Sequence, residues 1–113
     1  MIIRSAVLEG SVKPEDSARF DAFISNEIVP LMKQFPGVKS VRVLRANLID
    51  EGGTPLHMIF ESKYESMDAM NHAFTHPVRL ELRAKLKEIL ELFEGRMYHV
   101  TQDVLADDPV AAA

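Results

Sequence analysis

The sequence predicts an α+β domain, a four-stranded antiparallel sheet with two helices on one face, in the order β-α-β-β-α-β. Three observations predict it. Four segments rich in β-branched and apolar residues lie at 2–9, 38–48, 56–63 and 96–104. Apolar residues recur at helical spacing between the first and second of these, and again between the third and fourth. The second and third are joined by a short turn cluster alone. A chain of 113 residues makes one domain, read here as 1–105 with a loose tail at 106–113.

The first strand, Ile2 to Glu9, ends at Gly10. Pro14, Glu15, Asp16 and Ser17 then carry the signals of a helix start, with acids at the positive end of the helix dipole. Phe20, Ile24, Ile28, Leu31 and Phe35 form one apolar stripe at steps of four, four, three and four. Pro30 lies inside that stripe. It removes a backbone donor, so the helix is expected to kink near Asn26–Pro30. Pro36-Gly37 stops it.

Residues 38–48 read as the second strand, and Asp50-Glu51-Gly52-Gly53-Thr54-Pro55 as the turn into the third. Alternation along 56–63 sends Leu56, Met58 and Phe60 to one face and His57, Ile59 and Glu61 to the other. A short helix opens at Ser66 and runs to about Thr75, a plausible cap for a second segment restarted by Pro77. Val78, Leu82, Leu86, Ile89, Leu90 and Phe93 mark its buried stripe; Arg79, Arg83, Lys87, Glu88 and Glu91 mark the solvated side. Gly95 is the expected helix cap before the last strand. Right-handed crossovers in this order give the ferredoxin-like sandwich.

Composition excludes several classes of function. The net charge of −4 argues against a nucleic-acid or membrane-surface binder, which needs a basic field. The third strand also lacks the basic-Gly-aromatic signature of RNA-binding sheets of this fold. No cysteine is present, which removes disulfides and thiolate chemistry and suits a reducing, cytoplasmic setting. No apolar run approaches the ~18 residues of a membrane span. Neither G-x-G-x-x-G, a P-loop nor a G-x-S-x-G elbow occurs, so no nucleotide cofactor or serine nucleophile is expected.

Several strands are apolar on both sides: Ile2, Ala6 and Leu8 against Ile3 and Val7, and Val41 and Val43 against Leu44 and Leu48. The chain has helix enough for one face only. A homodimer in which two sheets meet face to face is therefore expected.

Several residues resemble the EthD-like family of the dimeric α/β-barrel superfamily. They are Phe20, Pro30 and Pro36-Gly37 in the first half, then Ala69, Ala73, Pro77, Arg79 and the final Tyr98-His99-Val100. The resemblance spans residues 1–105. It implies a ferredoxin-like subunit, a dimeric barrel, a pocket between sheet and helices, and a part in degrading or making small organic compounds. It also implies that a haem ligand, where relatives carry one on the second helix, falls at His76. At Ile24 and Ile28 the family commonly has Trp and His; isoleucine can neither transfer a proton nor bind a metal.

His57, His99 and His76 are the candidate acid–base residues, because an imidazole in an apolar cavity is suited to proton transfer near neutral pH. The plainer reading stands beside it: strand histidines at a sheet edge, and His72 and His76 as surface or capping groups, with no third metal ligand near them in sequence. Arg45, Tyr64, Phe60 and Met58 are the candidate substrate contacts. One of Arg4, Arg42, Arg45 and Arg96 suits a bidentate grip on a carboxylate or enolate; the alternative for them is interface ion pairs with Glu9, Glu61 or Asp103. Glu27, beside the kink, is a further candidate acid. No metal and no cofactor is expected. Two readings follow: a cofactor-free enzyme moving protons on a hydrophobic oxygenated compound (isomerisation, cyclisation or oxygenation), or a non-catalytic carrier, accessory or stress-response protein.

Overall fold

Strand β1 (Ile2–Val12) lies between β3 (Leu56–Tyr64) and β4 (Phe93–Asp103), and β2 (Ser40–Arg45) pairs with the far side of β3. Every neighbouring pair is antiparallel, giving the order β2-β3-β1-β4. This is the expected ferredoxin-like sheet. The structure, a computed structural model, describes residues 1–111, so the last two residues of the proposed tail lie outside the description.

Two strands are longer than their sequence pattern suggested. β1 runs through Gly10 to Val12, and β4 starts at Phe93. Gly95 is therefore a strand residue and not a helix cap. It stands opposite Gly10, and both have positive φ, +149° and +145°. A Cβ on either would lie 2.0 Å from a carbonyl oxygen of the opposite strand. Conversely, β2 stops at Arg45, and residues 46–55 form an irregular connection that leaves Leu48 86% exposed.

The first helical stretch is α1 (Pro14–Phe23), a π-turn at Ile24–Ile28, and α2 (Val29–Met32). The π-turn is the form taken by the expected kink. Pro30 has no N–H to donate to the turn before it, and the N–H of Val29 reaches back five residues to the Ile24 carbonyl. The stripe stays intact: Phe20, Ile24, Ile28, Leu31 and Phe35 are all buried, although the helix ends at Met32 and Phe35 enters the core from the following turn. Helix α3 (Met67–Ala73) is capped by Ser66, whose Oγ accepts the Ala69 N–H at 3.1 Å. Helix α4 (Val78–Ile89) passes through a 3-10 turn at Leu90–Leu92 directly into β4. Thr75 does not cap it; its hydroxyl donates to the His72 carbonyl, 2.7 Å away.

The strand register arranges side chains in rows across the sheet. On the helix side, Arg45–Met58–Leu8–Met97, Val43–Phe60–Ala6–His99 and Val41–Ser62–Arg4–Thr101 lie side by side. Leu8, Met58 and Phe60 in these rows are buried against Phe20, Ile24 and Ile28. Each such side chain contributes roughly 1.5–3 kcal/mol. On the other face no helix of the described residues packs. There an apolar belt, Leu44–Ile59–Val7–Tyr98, crosses all four strands, with Leu44 40% and Tyr98 37% exposed. Ion pairs flank it, Arg42–Glu61 at 2.7 Å and Arg96–Glu9 at 2.9 Å. Beyond β4 the described residues, 104–111, have no regular structure; Asp107 reaches Lys63 of β3 at 2.7 Å.

Candidate functional site

Between α4 and the helix side of the sheet lies a cavity of about 700 Å³. The residues that open it are small. Ala6 and Ser62 sit on the two central strands, where larger side chains would fill the space under α4. Ile28, Met32, Phe60, Leu82, Leu86 and Met97 supply apolar wall. The sheet supplies His99, Arg4, Tyr64 and Ser62, and α4 supplies Arg79, Arg83, Lys87 and Glu91. An apolar cavity with a few converging polar groups is the usual form of a small-molecule site.

The polar groups perturb one another. His99 is pulled below the usual histidine range by burial, with Arg4 and Arg79 adding to the effect. The shift favours the neutral imidazole, the form able to accept a proton, although His99 stays exposed on the edge strand β4. Arg4 is also lowered, by burial first and then by the neighbouring Arg79. Both guanidinium groups stand over the ring of Phe74, at 4.9 Å and 5.1 Å. Burial raises the Tyr64 phenol, against the opposing effects of Ser62 and Arg4, so it stays protonated and can donate.

Of the residues singled out from sequence, His99, Tyr64 and Phe60 line this cavity and His57, His76, Arg45 and Met58 do not. Tyr64 lies in its floor, 1% exposed. Met58 packs in the core beside it. Arg45 pairs with Asp21 on α1. Glu27 pairs with Lys85 of α4 at 3.6 Å, outside the cavity.

His57 corrects the simple alternation. A register shift opposite Leu8 and Glu9 leaves it without a partner on β1. Its ring packs on the helix side instead, edge-on to Phe20 at 5.5 Å and 5.9 Å from Phe93. Burial lowers its pKa, Asp21 raises it and Arg45 lowers it. Its Nε2 and the Oδ1 of Asp21 are both buried without a hydrogen-bond partner.

His76 caps α4: its Nδ1 accepts the Val78 N–H at 3.0 Å. In a neutral imidazole the proton then sits on Nε2, which becomes a donor and not a metal ligand. His76 is thus a poor fit for a haem iron, and it stands outside the cavity. No group of three or more His, Cys, Asp or Glu suited to a metal occurs among the described residues.

Arg79 and Arg83 were not legible as site residues. They are exposed, as their place on the solvated side predicted, but with Lys87 and Glu91 they form the rim of the cavity. The available signal was their spacing: 79, 83, 87 and 91 run along the edge of the Leu82–Leu86–Leu90 stripe.

No family model matches the sequence, and no curated protein does. Solved structures do. An EthD family protein from Bacillus halodurans C-125 superposes with a TM-score of 0.69 at 19% identity, covering 93% of this chain and 100% of that one. SnoaB from Streptomyces nogalater, a cofactor-independent oxygenase solved as a point mutant, gives 0.63 at 12% identity, covering 96% of each chain. A dimeric protein of unknown function and ferredoxin-like fold from Bacteroides fragilis NCTC 9343 gives 0.61 at 16% identity, covering 91% of this chain and 96% of that one. The EthD-like resemblance carried by the sequence is thereby met at the level of the fold: this chain has the ferredoxin-like fold of the EthD-family structure.

Proposed function

We propose that this chain is an EthD-like, dimeric small-molecule-binding protein that moves protons on a hydrophobic oxygenated compound without a cofactor, with His99 as acid and base. The observation that carries this reading is the placement of a single imidazole on a cavity of about 700 Å³ that joins an apolar wall to a cluster of basic side chains. The lowered pKa of His99 favours its neutral form, and Arg4, which lines the same cavity, supplies a positive charge suited to a developing enolate. The likeness to a cofactor-independent oxygenase supports the absence of a cofactor. The cysteine-free sequence suits a cytoplasmic setting, and no helix of the described residues is long and apolar enough to cross a membrane.

Dimerisation through the open sheet face belongs to the same proposal. The chain exposes 7606 Å², against roughly 6,200 Å² for a monomeric protein of its mass. The belt Leu44–Ile59–Val7–Tyr98 offers an apolar surface for a partner, and the Bacteroides fragilis structure is of a dimeric protein.

The test is hydrogen–deuterium exchange at the acidic C–H of a panel of aryl ketones, followed by NMR. Wild type should catalyse exchange on at least one of them, and His99→Gln should slow it by about 100-fold or more. Equal exchange in the two proteins overturns the assignment of His99. A second reading, that the protein carries its ligand without turning it over, is favoured by Ile28, which puts an inert side chain in the cavity wall. Tight retention of a ketone with no exchange would support it.

A further inference from the structure

We infer that the ligand is an anion: a carboxylate on a bulky apolar body, its oxygens held between Arg4 and Arg79 beside His99. The inference rests on the small-molecule reading above and names the class of molecule. Four arginines lie on the strands. Three have carboxylate partners: Arg42 with Glu61, Arg45 with Asp21, Arg96 with Glu9. Among the described residues Arg4 alone has none, and it is the one inside the cavity. Among the described residues no carboxylate pairs with Arg79 or Arg83 either.

A partly buried cation such as Arg4 without a counterion is costly, and the neighbouring charge of the exposed Arg79 adds to that cost. The structure holds them there all the same. Arg4 and Arg79 share the ring of Phe74, which is itself fixed by Phe35 at 5.6 Å and Tyr64 at 6.0 Å. Two guanidinium groups gathered at one aromatic ring are suited to a planar oxyanion, which each can grip in a pair of hydrogen bonds. The repulsion between them is relieved when that anion arrives. The cavity's own carboxylate, Glu91, does not take the place. It lies twelve residues along the chain from Arg79, roughly 18 Å at helical rise. Four cations and one carboxylate thus line a cavity in a chain whose net charge is −4. The apolar body of the ligand runs from the arginine end along Met32 and Leu86.

Calorimetric titration of the full chain with 2-naphthoate and with 2-naphthamide at low salt tests this. The two probes share size and apolar surface and differ in charge. The carboxylate should bind at least about tenfold tighter than the amide, the scale of one charged hydrogen-bonded contact. Arg79→Gln should abolish most of that preference; Arg79→Lys, which keeps the charge and loses the fork, should retain part of it. Arg79 is exposed, so its variants keep the fold, and Arg4→Gln provides an independent check. Equal binding of the two probes to wild type overturns the anion inference and leaves the small-molecule reading standing. A carboxylate preference that survives both Arg79→Gln and Arg4→Gln also overturns it. Binding of neither probe counts against the cavity as a site, and the anion inference falls with it.

Discussion

Gly10→Ala probes the strand pairing on which the cavity is built. The β1–β4 ladder that sets Gly10 against Gly95 also sets Ala6 against His99 and Arg4 against Thr101. A methyl group on residue 10 would lie 2.0 Å from the Glu94 carbonyl oxygen and 2.8 Å from the Gly95 Cα. Ordinary carbon contacts are at roughly 3.5–4.0 Å. Both obstacles are backbone, so no side chain can rotate away and the strands must part by more than an ångström. Two costs add. Holding alanine at φ +145° costs about 1–3 kcal/mol. Parting the strands weakens the adjoining ladder hydrogen bonds, at about 0.5–1.5 kcal/mol each. The expected loss is about 3–5 kcal/mol, a large share of the ~5–15 kcal/mol that stabilises a domain. Gly37→Ala is the control: its φ is +80° but nothing lies within 4 Å of the added carbon, so it should lose only about 1–2 kcal/mol. Urea unfolding followed by far-ultraviolet circular dichroism measures both. If Gly10→Ala unfolds within 1 kcal/mol of Gly37→Ala, the close approach of the two strands does not exist as described.

The open sheet face and the bulge histidine supply two further expectations. Val7→Lys places a charge at the centre of the apolar belt; wild type should sediment at twice 12.7 kDa and the variant as a single chain, and a wild type that sediments as a single chain at micromolar concentration refutes the dimer. Burial holds His57 below the ordinary value of 6.5, so as pH falls the unfolded chain takes up the proton first and stability declines below that value. His57→Gln should therefore lose less stability than wild type between about pH 7 and 5; parallel curves for the two proteins would remove His57 from the linkage.

Much of the fold was legible because its signals are local. The stripe Phe20, Ile24, Ile28, Leu31 and Phe35 reports a buried helix face whatever the backbone does in detail, and all five are buried. Pro30 announced a disturbance because a missing donor is a property of one residue; that the helix answers with a π-turn depends on keeping both halves of the stripe on the core. Strand ends were misjudged where glycine decided them. Gly10 and Gly95 both read as stops, since glycine usually punctuates. Their true role appears only when the two are paired, because each is needed by the other strand's backbone.

The site was less legible for a related reason. Sequence periodicity reports which side of a helix is apolar, and not how far the sheet below it recedes. Arg79 and Arg83 sit at the edge of the α4 stripe, where a side chain is surface if the floor is high and cavity wall if it is low. The floor is low because Ala6 and Ser62 occupy the two central strands, and only the β1–β3 register brings these small residues under α4. His57 shows the converse. Strict alternation sends it to the open face, but one register shift turns it inward against Phe20. His99, on an unbroken stretch of β4 pairing, falls on the same side as Met97 and Phe93, as alternation requires. Alternation thus assigns a strand residue to a face only where the ladder is regular. It assigns that residue to a cavity only where the sizes of its cross-strand neighbours are also known. Ala6, the residue that most directly makes room for a ligand, carries no chemistry of its own and is visible only through what stands beside it.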